Sequence, residues 1–183
     1  MRIAAALGAF IAVAATGIAA FVYSGAYDVA ATTPHFASTH RLLRTMKEQS
    51  VKRQARNVQV PLLDDPQKVH AGLKSFQEMC VVCHGAPGEP ATQISKGLYP
   101  RPPDLARAAG AWTPAEQFVI IRHGLKMTGM PAWGPTHSDE QIWEIVAFLG
   151  LFPTMPAAEY REAVAFHETK TSGATGDMPA GHH

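Results

Sequence analysis

The hydrophobic positions of this 183-residue chain follow two different patterns. From Ile3 to Tyr23 no charged residue interrupts a predominantly apolar run, and a helix of that length rises about 30 Å, enough to cross a bilayer. Beyond this run, apolar residues recur every three or four positions, which is typical of amphipathic helices. The sequence therefore predicts an all-α protein whose first helix is predominantly apolar and whose later helices are amphipathic.

The first 26 residues are predicted to be a transmembrane anchor, and a cleaved signal peptide is the alternative. The apolar part of a signal peptide normally covers about 7–15 residues before a small-x-small cleavage site, and Ser24-Gly25-Ala26 could serve as such a site. The length of the apolar run favours an uncleaved anchor. Either segment exports the chain that follows it.

Residues 27–62 are predicted to be a basic helical spacer that ends at Pro61-Leu62-Leu63. Thr39 is a predicted helix cap. One face of the helix is predicted to carry Leu42, Leu43, Met46 and Ser50 or Val51, and another its basic residues. The basic residues are Arg41, Arg44, Lys47, Lys52, Arg53 and Arg56. Glu48 is the only acidic residue among them. A solvated spacer, a helix on anionic lipid and a partner-docking surface all remain open, whereas the net charge of +1 gives no indication of a nucleic-acid partner.

Residues 63–152 carry the clearest helical signals. Asp65 is a predicted N-cap with Pro66 at the first helical position, and one face of that helix presents Val69, Leu73, Phe76 and Cys80. Capping boxes predict two later helices; they are formed by Thr113 with Glu116 and by Ser138 with Gln141. The second of these helices has an apolar stripe of Ile142, Ile145, Val146 and Leu149. Residues 153–169 are predicted to form a short, weakly attached helix, and residues 170–183 a disordered tail.

The pentapeptide Cys80-Val81-Val82-Cys83-His84 carries the chemistry of the chain. C-x-x-C-H is the attachment signature of a c-type haem, in which two thiols bond to the porphyrin and the histidine binds the iron. A zinc site needs four ligands, and the chain has only these two cysteines. A thioredoxin-like dithiol requires a βαβ pattern, which is absent from the sequence. The motif thus favours one covalent haem c over a disulfide, a dithiol or a zinc site.

Residues 66–150 resemble a single-haem class I cytochrome c. The resemblance rests on the helix leading into Cys80–His84, on Tyr99-Pro-Arg-Pro-Pro-Asp-Leu105 and on Gly129-Met-Pro-Ala-Trp133. It implies an all-α class I cytochrome c haem domain, here 63–152, with a glycine-mediated crossing of its first and last helices. It also implies that Met130 is the distal iron ligand opposite His84.

Several residues near the predicted haem are candidates for further roles. Met130 lies between a glycine and a proline, Gly129 and Pro131, which favours it as the sixth ligand. The other potential sixth ligands are His123, Met127 and Met155. Arg101 is a candidate partner for a haem propionate, because a guanidinium group can bind a carboxylate through two N–H groups.

The sequence predicts an electron carrier rather than an enzyme. The resemblance implies redox partner proteins of a respiratory or dehydrogenase chain. The predicted anchor implies a single-pass protein of the bacterial cytoplasmic membrane with its haem domain on the periplasmic side. A haem sensor or small-molecule-binding module with a labile sixth ligand is the alternative function.

Overall fold

The fold is built from helices joined by loops and short turns. The computed structural model describes residues 2–174, with side chains to His167, and that range contains no β-strand. One compact unit ends at Pro34 and a second begins at His35. The helices are α1 (Arg2–Tyr23), α2 (Ala37–Ala55), α3 (Pro66–Ser75), α4 (Val81–His84), α5 (Gln93–Gly97), α6 (Leu105–Ala108), α7 (Pro114–His123), α8 (Asp139–Leu151) and α9 (Ala157–Ala174). A π-helical turn, Phe76–Cys80, joins α3 to α4, and 3₁₀ turns, Ala109–Ala111 and Phe152–Thr154, follow α6 and α8.

The N-terminal helix α1 agrees with the predicted apolar segment. Its 22 residues are long and apolar enough to cross a membrane, by length and composition. A signal sequence near the N-terminus has the same properties. The helix is consistent with a single-pass membrane anchor.

Helices α3 and α8 cross at Gly72. A Cβ atom at this position would overlap the backbone carbonyl of Glu144 and lie 2.9 Å from the Cβ of Phe148. Glycine therefore lets the two backbones touch, as the resemblance implied. An ion pair between Lys68 and Glu140, 2.7 Å long, links the same two helices at the surface.

Local signals placed the starts of α3, α7 and α8 correctly. The Asp65 side chain accepts a hydrogen bond from the N–H of Gln67 at the start of α3. Both predicted capping boxes are formed, at Thr113 and at Ser138. The predicted apolar stripe of α8 is buried; its members are Ile142, Ile145, Val146 and Leu149.

The basic helix α2 is part of the second compact unit, which corrects the prediction of a separate spacer over 27–62. It packs against α7 and buries Val51 and Ala55 in the core. The predicted cap is also wrong, because α2 begins at Ala37, before Thr39. Leu42, predicted to share the apolar face with Val51, is exposed. Small apolar side chains near the end of α2 form the packed face instead.

Helix α9 is attached to the second compact unit chiefly through Tyr160, and its other described side chains are exposed or half-buried. Tyr160 is only 3% exposed, and its ring lies among those of Phe76, Phe148 and Phe152. The helix continues to Ala174, so it includes the first residues of the predicted tail. Residues 175–183, where the rest of that tail was predicted, lie outside the described residues.

The hydroxyl group of Tyr160 has no hydrogen-bond partner among the described residues. A buried hydroxyl without a partner destabilises the folded state by about 1–3 kcal/mol. Tyr160→Phe is therefore expected to raise the free energy of unfolding by about 1 kcal/mol, measured by denaturant titration of the haem-loaded protein.

Tyr99→Phe is the matched control for this substitution. The Tyr99 hydroxyl accepts a hydrogen bond from the N–H of His35, 2.9 Å away, so its removal is expected to lower stability. A Tyr160→Phe protein that unfolds at lower denaturant concentration than the unmodified chain would contradict the prediction.

Candidate functional site

The segment after the pentapeptide contains two short helices, α5 and α6. Thr92 caps α5, and its hydroxyl donates a hydrogen bond of 2.6 Å to the carbonyl of Val82. This bond ties α5 directly to the pentapeptide. Asp104 caps α6 through the N–H of Ala106.

The two cysteines lie one helical turn apart and are not joined in a disulfide. Cys80 ends the π-helical turn and Cys83 belongs to α4, and both are partly buried free thiols. Burial, and secondarily the neighbouring Cys83, raise the pKa of Cys80 to about 12. Cys80 is therefore a neutral thiol at neutral pH in this environment, which fits a residue facing an apolar group.

His84 is held by residues 98–105, which contain three prolines and are called the proline-rich segment. Its Nδ1 atom lies 2.9 Å from the carbonyl oxygen of Pro103. A carbonyl can only accept, so Nδ1 carries the proton and Nε2 keeps its lone pair for a metal. Burial lowers the pKa of His84 and so favours the neutral imidazole that binds metals. No sequence signal identified the Pro103 carbonyl as the partner of His84.

Met130 lies on a loop that is fixed by backbone hydrogen bonds. Its N–H donates to the Thr128 hydroxyl (3.1 Å) and its carbonyl accepts from the N–H of Leu125 (3.2 Å). Gly124, with a φ of 64°, packs tightly against the same carbonyl. The half-buried Met130 side chain packs against the hydrophobic core. Its position is thus set by the surrounding backbone.

The same proline-rich segment contacts both the Met130 loop and His84. A Cβ atom at Gly129 would lie 2.7 Å from the Leu98 side chain, so this glycine allows a close approach to Leu98. Pro103, five residues later, holds His84. Arg101 lies between these two contacts and is exposed. The fold therefore brings both predicted ligand segments to one stretch of chain.

The alternative sixth ligands lie in other surroundings. Met127 is 73% exposed and has a φ of 59°, a conformation uncommon for a residue with a side chain. His123 is also exposed. Met155 lines an apolar groove of about 430 Å³ with Leu63, Val69 and Ala163. Met130 differs from these residues because its backbone is hydrogen-bonded on both sides and it directly follows Gly129, which lies against Leu98.

The donor set fits a c-type haem. Two free thiols lie one turn apart, an imidazole has its Nε2 available, and a thioether is carried by a fixed loop. The described residues contain no group of three or more His, Cys, Asp or Glu side chains that could hold a metal ion by themselves. Two thiols and an imidazole within five positions suit a metal held inside a larger organic group.

Comparisons with known proteins find similarity to parts of this chain. Residues 67–149 match the family described as cytochrome C oxidase, cbb3-type, subunit III. The chain is 28% identical over 108 residues to the quinohemoprotein alcohol dehydrogenase ADH IIB of Pseudomonas putida, which corresponds to 59% of this chain and 14% of that protein. This chain thus spans only a small fraction of that relative's length.

A solved structure is similar in part. It is the Kuenenia stuttgartiensis reducing HAO-like protein complex Kustc0457/Kustc0458, with a TM-score of 0.44, 23% identity and coverage of 52% of this chain and 49% of that one.

The family match and the curated relative support a c-type cytochrome that transfers electrons. Together with the all-helical structure, the family match confirms the predicted fold class.

Proposed function

We propose that this chain transfers electrons through one covalently bound haem c, with His84 and Met130 as its axial ligands. It is anchored by α1 to the bacterial cytoplasmic membrane, with the haem domain on the periplasmic side. The observation that carries this proposal is the hydrogen bond from His84 to the Pro103 carbonyl, because it orients the imidazole and leaves Nε2 free to bind iron.

Each site residue has a separate role in this proposal. Cys80 and Cys83 hold the group through two thioether bonds, so it stays attached through many redox cycles. When bound, haem c supplies a reversible one-electron couple. Met130 provides a soft sulfur ligand that favours the reduced state. Arg101, two residues before Pro103, is proposed to bind a haem propionate through its guanidinium group.

The fixed loop around Met130 favours an electron carrier over a sensor. Transfer is fast when the ligands move little between the two redox states, and the backbone contacts of Leu125, Thr128 and Met130 restrict that movement. A sensor requires a sixth ligand that leaves readily. The hydrogen-bonded loop therefore supports a closed iron site.

The partners of this chain are proposed to be redox proteins of a respiratory or dehydrogenase chain. The curated relative is a quinohemoprotein alcohol dehydrogenase, and 14% of its length is similar to this chain. By analogy, this chain passes electrons to or from such an enzyme and performs no substrate chemistry of its own.

The ligand assignment is tested by comparing Met130→Ala with Met127→Ala. Loss of Met130 is expected to abolish the weak far-red thioether-to-iron absorption band of the ferric protein and to lower its reduction potential, because the sulfur that stabilises ferrous iron is removed. Met127→Ala is the matched control and should change neither, since Met127 is exposed. Loss of the band in the Met127 variant instead would contradict the assignment.

The anchor is tested by membrane extraction. If α1 spans the bilayer, the full-length protein should remain in the membrane fraction after alkaline and high-salt washes. A chain starting at Thr32 behind a cleavable signal should be exported, carry haem and be soluble at high salt. A mature protein that begins at Tyr27, found by mass spectrometry, would establish signal cleavage and contradict the anchor.

A further inference from the structure

Helix α2 has an exposed basic face opposite its packed face. Val51 and Ala55 point into the core. On the other side, within an arc of about 140°, lie six exposed residues that are either cationic or large and apolar. They are Arg41, Leu42, Met46, Lys52, Arg53 and Arg56, the last being the residue that directly follows the helix. We call these six residues the outer face of α2.

No carboxylate of α2 lies on this outer face. Glu48 is the helix's single acidic residue, and it forms a 2.8 Å ion pair with Arg44 beside the packed side. Lys47 lies 5.9 Å from the ring centre of Trp112. Arg44 and Lys47 thus contact groups of the protein directly. The four cations of the outer face are exposed, although one of them, Lys52, also attracts the Glu48 carboxylate electrostatically.

The outer face also carries apolar surface. Leu42 is 60% exposed and Met46 is 59% exposed, and they lie one turn apart between the cations. A helix with long apolar side chains flanked by Lys and Arg is suited to the boundary between lipid headgroups and acyl chains. The apolar side chains enter that boundary while the cations contact lipid phosphates.

The chain itself favours a membrane as the occupant of this face. Helix α1 ends at Tyr23 and α2 begins at Ala37, so the connecting segment reaches at most about 50 Å. If α1 is a membrane anchor, every copy of α2 is held at high local concentration near a bilayer surface. An acidic partner protein would match the charge but would not account for this proximity.

We infer that the outer face of α2 binds the surface of a membrane containing anionic phospholipids, and so holds the second compact unit against the bilayer. This inference rests on the proposed anchor and is independent of the haem ligation. Such binding restricts the orientations in which the cytochrome domain meets membrane-bound redox partners.

The test uses the full-length, haem-loaded chain in lipid nanodiscs, with a spin label on Gln49→Cys. Gln49 is exposed on the same side as Leu42 and Met46. The discs contain phosphatidylcholine alone or mixed with anionic phosphatidylglycerol. In the anionic discs, collisions of the label with a water-soluble nickel chelate are expected to fall about tenfold. A label on Gln93→Cys, exposed on α5, serves as the reference and should stay accessible in both discs.

Charge removal identifies the contact. Replacing Arg41, Lys52, Arg53 and Arg56 by Gln is expected to reduce lipid association by on the order of a hundredfold and to restore full access to the Gln49 label. The matched control removes four exposed cations from other elements and should leave the label protected; these are Lys74, Lys96, Arg107 and Arg161. Leu42→Ser with Met46→Ser should weaken the protection without changing charge.

Several outcomes would overturn the inference. Equal protection in the two kinds of disc would show that anionic lipid is not what binds. Full access in both would show that no membrane contact exists, and protection that needs an added acidic protein would identify a protein surface instead. If the chain elutes apart from the discs, only the proposed anchor is contradicted. The accessibility of the Gln49 label is then measured with anionic discs added in excess. Protection there supports the lipid contact, and its absence contradicts it.

Discussion

Replacing both Cys80 and Cys83 by alanine is expected to release all of the haem under denaturing extraction. The two thiols are free and partly buried one turn apart in the structure, and they are the only cysteines in the chain. Without them no thioether bond can form. The measurement is haem staining of the denatured chain after electrophoresis, together with its intact mass.

Single substitutions serve as controls for the double variant. Cys80→Ala or Cys83→Ala should leave at most one thioether bond, so haem bound covalently through the other cysteine remains detectable. His84→Ala retains both thiols, yet it should lack a normal low-spin spectrum because the proximal ligand is lost. Haem that stays attached to the double variant would disprove covalent attachment at this motif.

Gly72→Val is expected to destabilise the fold by about 3 kcal/mol or more, because the added side chain must separate α3 from α8. The nearest obstacles are the backbone carbonyl of Glu144 and the Cβ atom of Phe148, and a backbone cannot turn aside as a flexible side chain can. A branched side chain at this position also enlarges the conflict. The measurement is the denaturant midpoint of the haem-loaded protein.

Gly150→Ala is the matched control on the partner helix. A Cβ atom at Gly150 meets nothing within 4 Å, and alanine is favoured over glycine in a helix by about 0.5–1 kcal/mol. This variant should therefore be as stable as the unmodified chain or slightly more stable. If Gly72→Val unfolded at the same denaturant concentration as Gly150→Ala, the proposed close crossing of α3 and α8 would be wrong.

The features that were predictable from the sequence depend on short stretches of chain. Helix caps such as Asp65 and Thr113 act within three residues of themselves, so their geometry is encoded locally. The apolar stripe of α8 is visible for the same reason. The pentapeptide holds both thiols and the histidine within five positions, so the type of cofactor could be predicted from the sequence without the fold.

The features that were missed depend on contacts between distant segments. Helix α2 is mostly polar, and its placement rests on Val51 and Ala55 fitting against α7. Helix α9 is likewise held by a small part of its surface, chiefly Tyr160. The Pro103 carbonyl is a backbone group, whose role at His84 leaves no trace in residue type. In each case tertiary packing, rather than local pattern, decides the outcome.

The closed iron site is tested most directly by exposing the ferrous full-length protein to carbon monoxide at neutral pH. With Met130 bound opposite His84, the sixth position is filled and the absorption spectrum is expected to remain unchanged. Met130→Ala should open the iron and bind the gas, which shows that the assay detects a vacant position. Ready uptake of carbon monoxide by the unmodified protein would contradict the electron-carrier proposal and favour a haem sensor with a labile ligand.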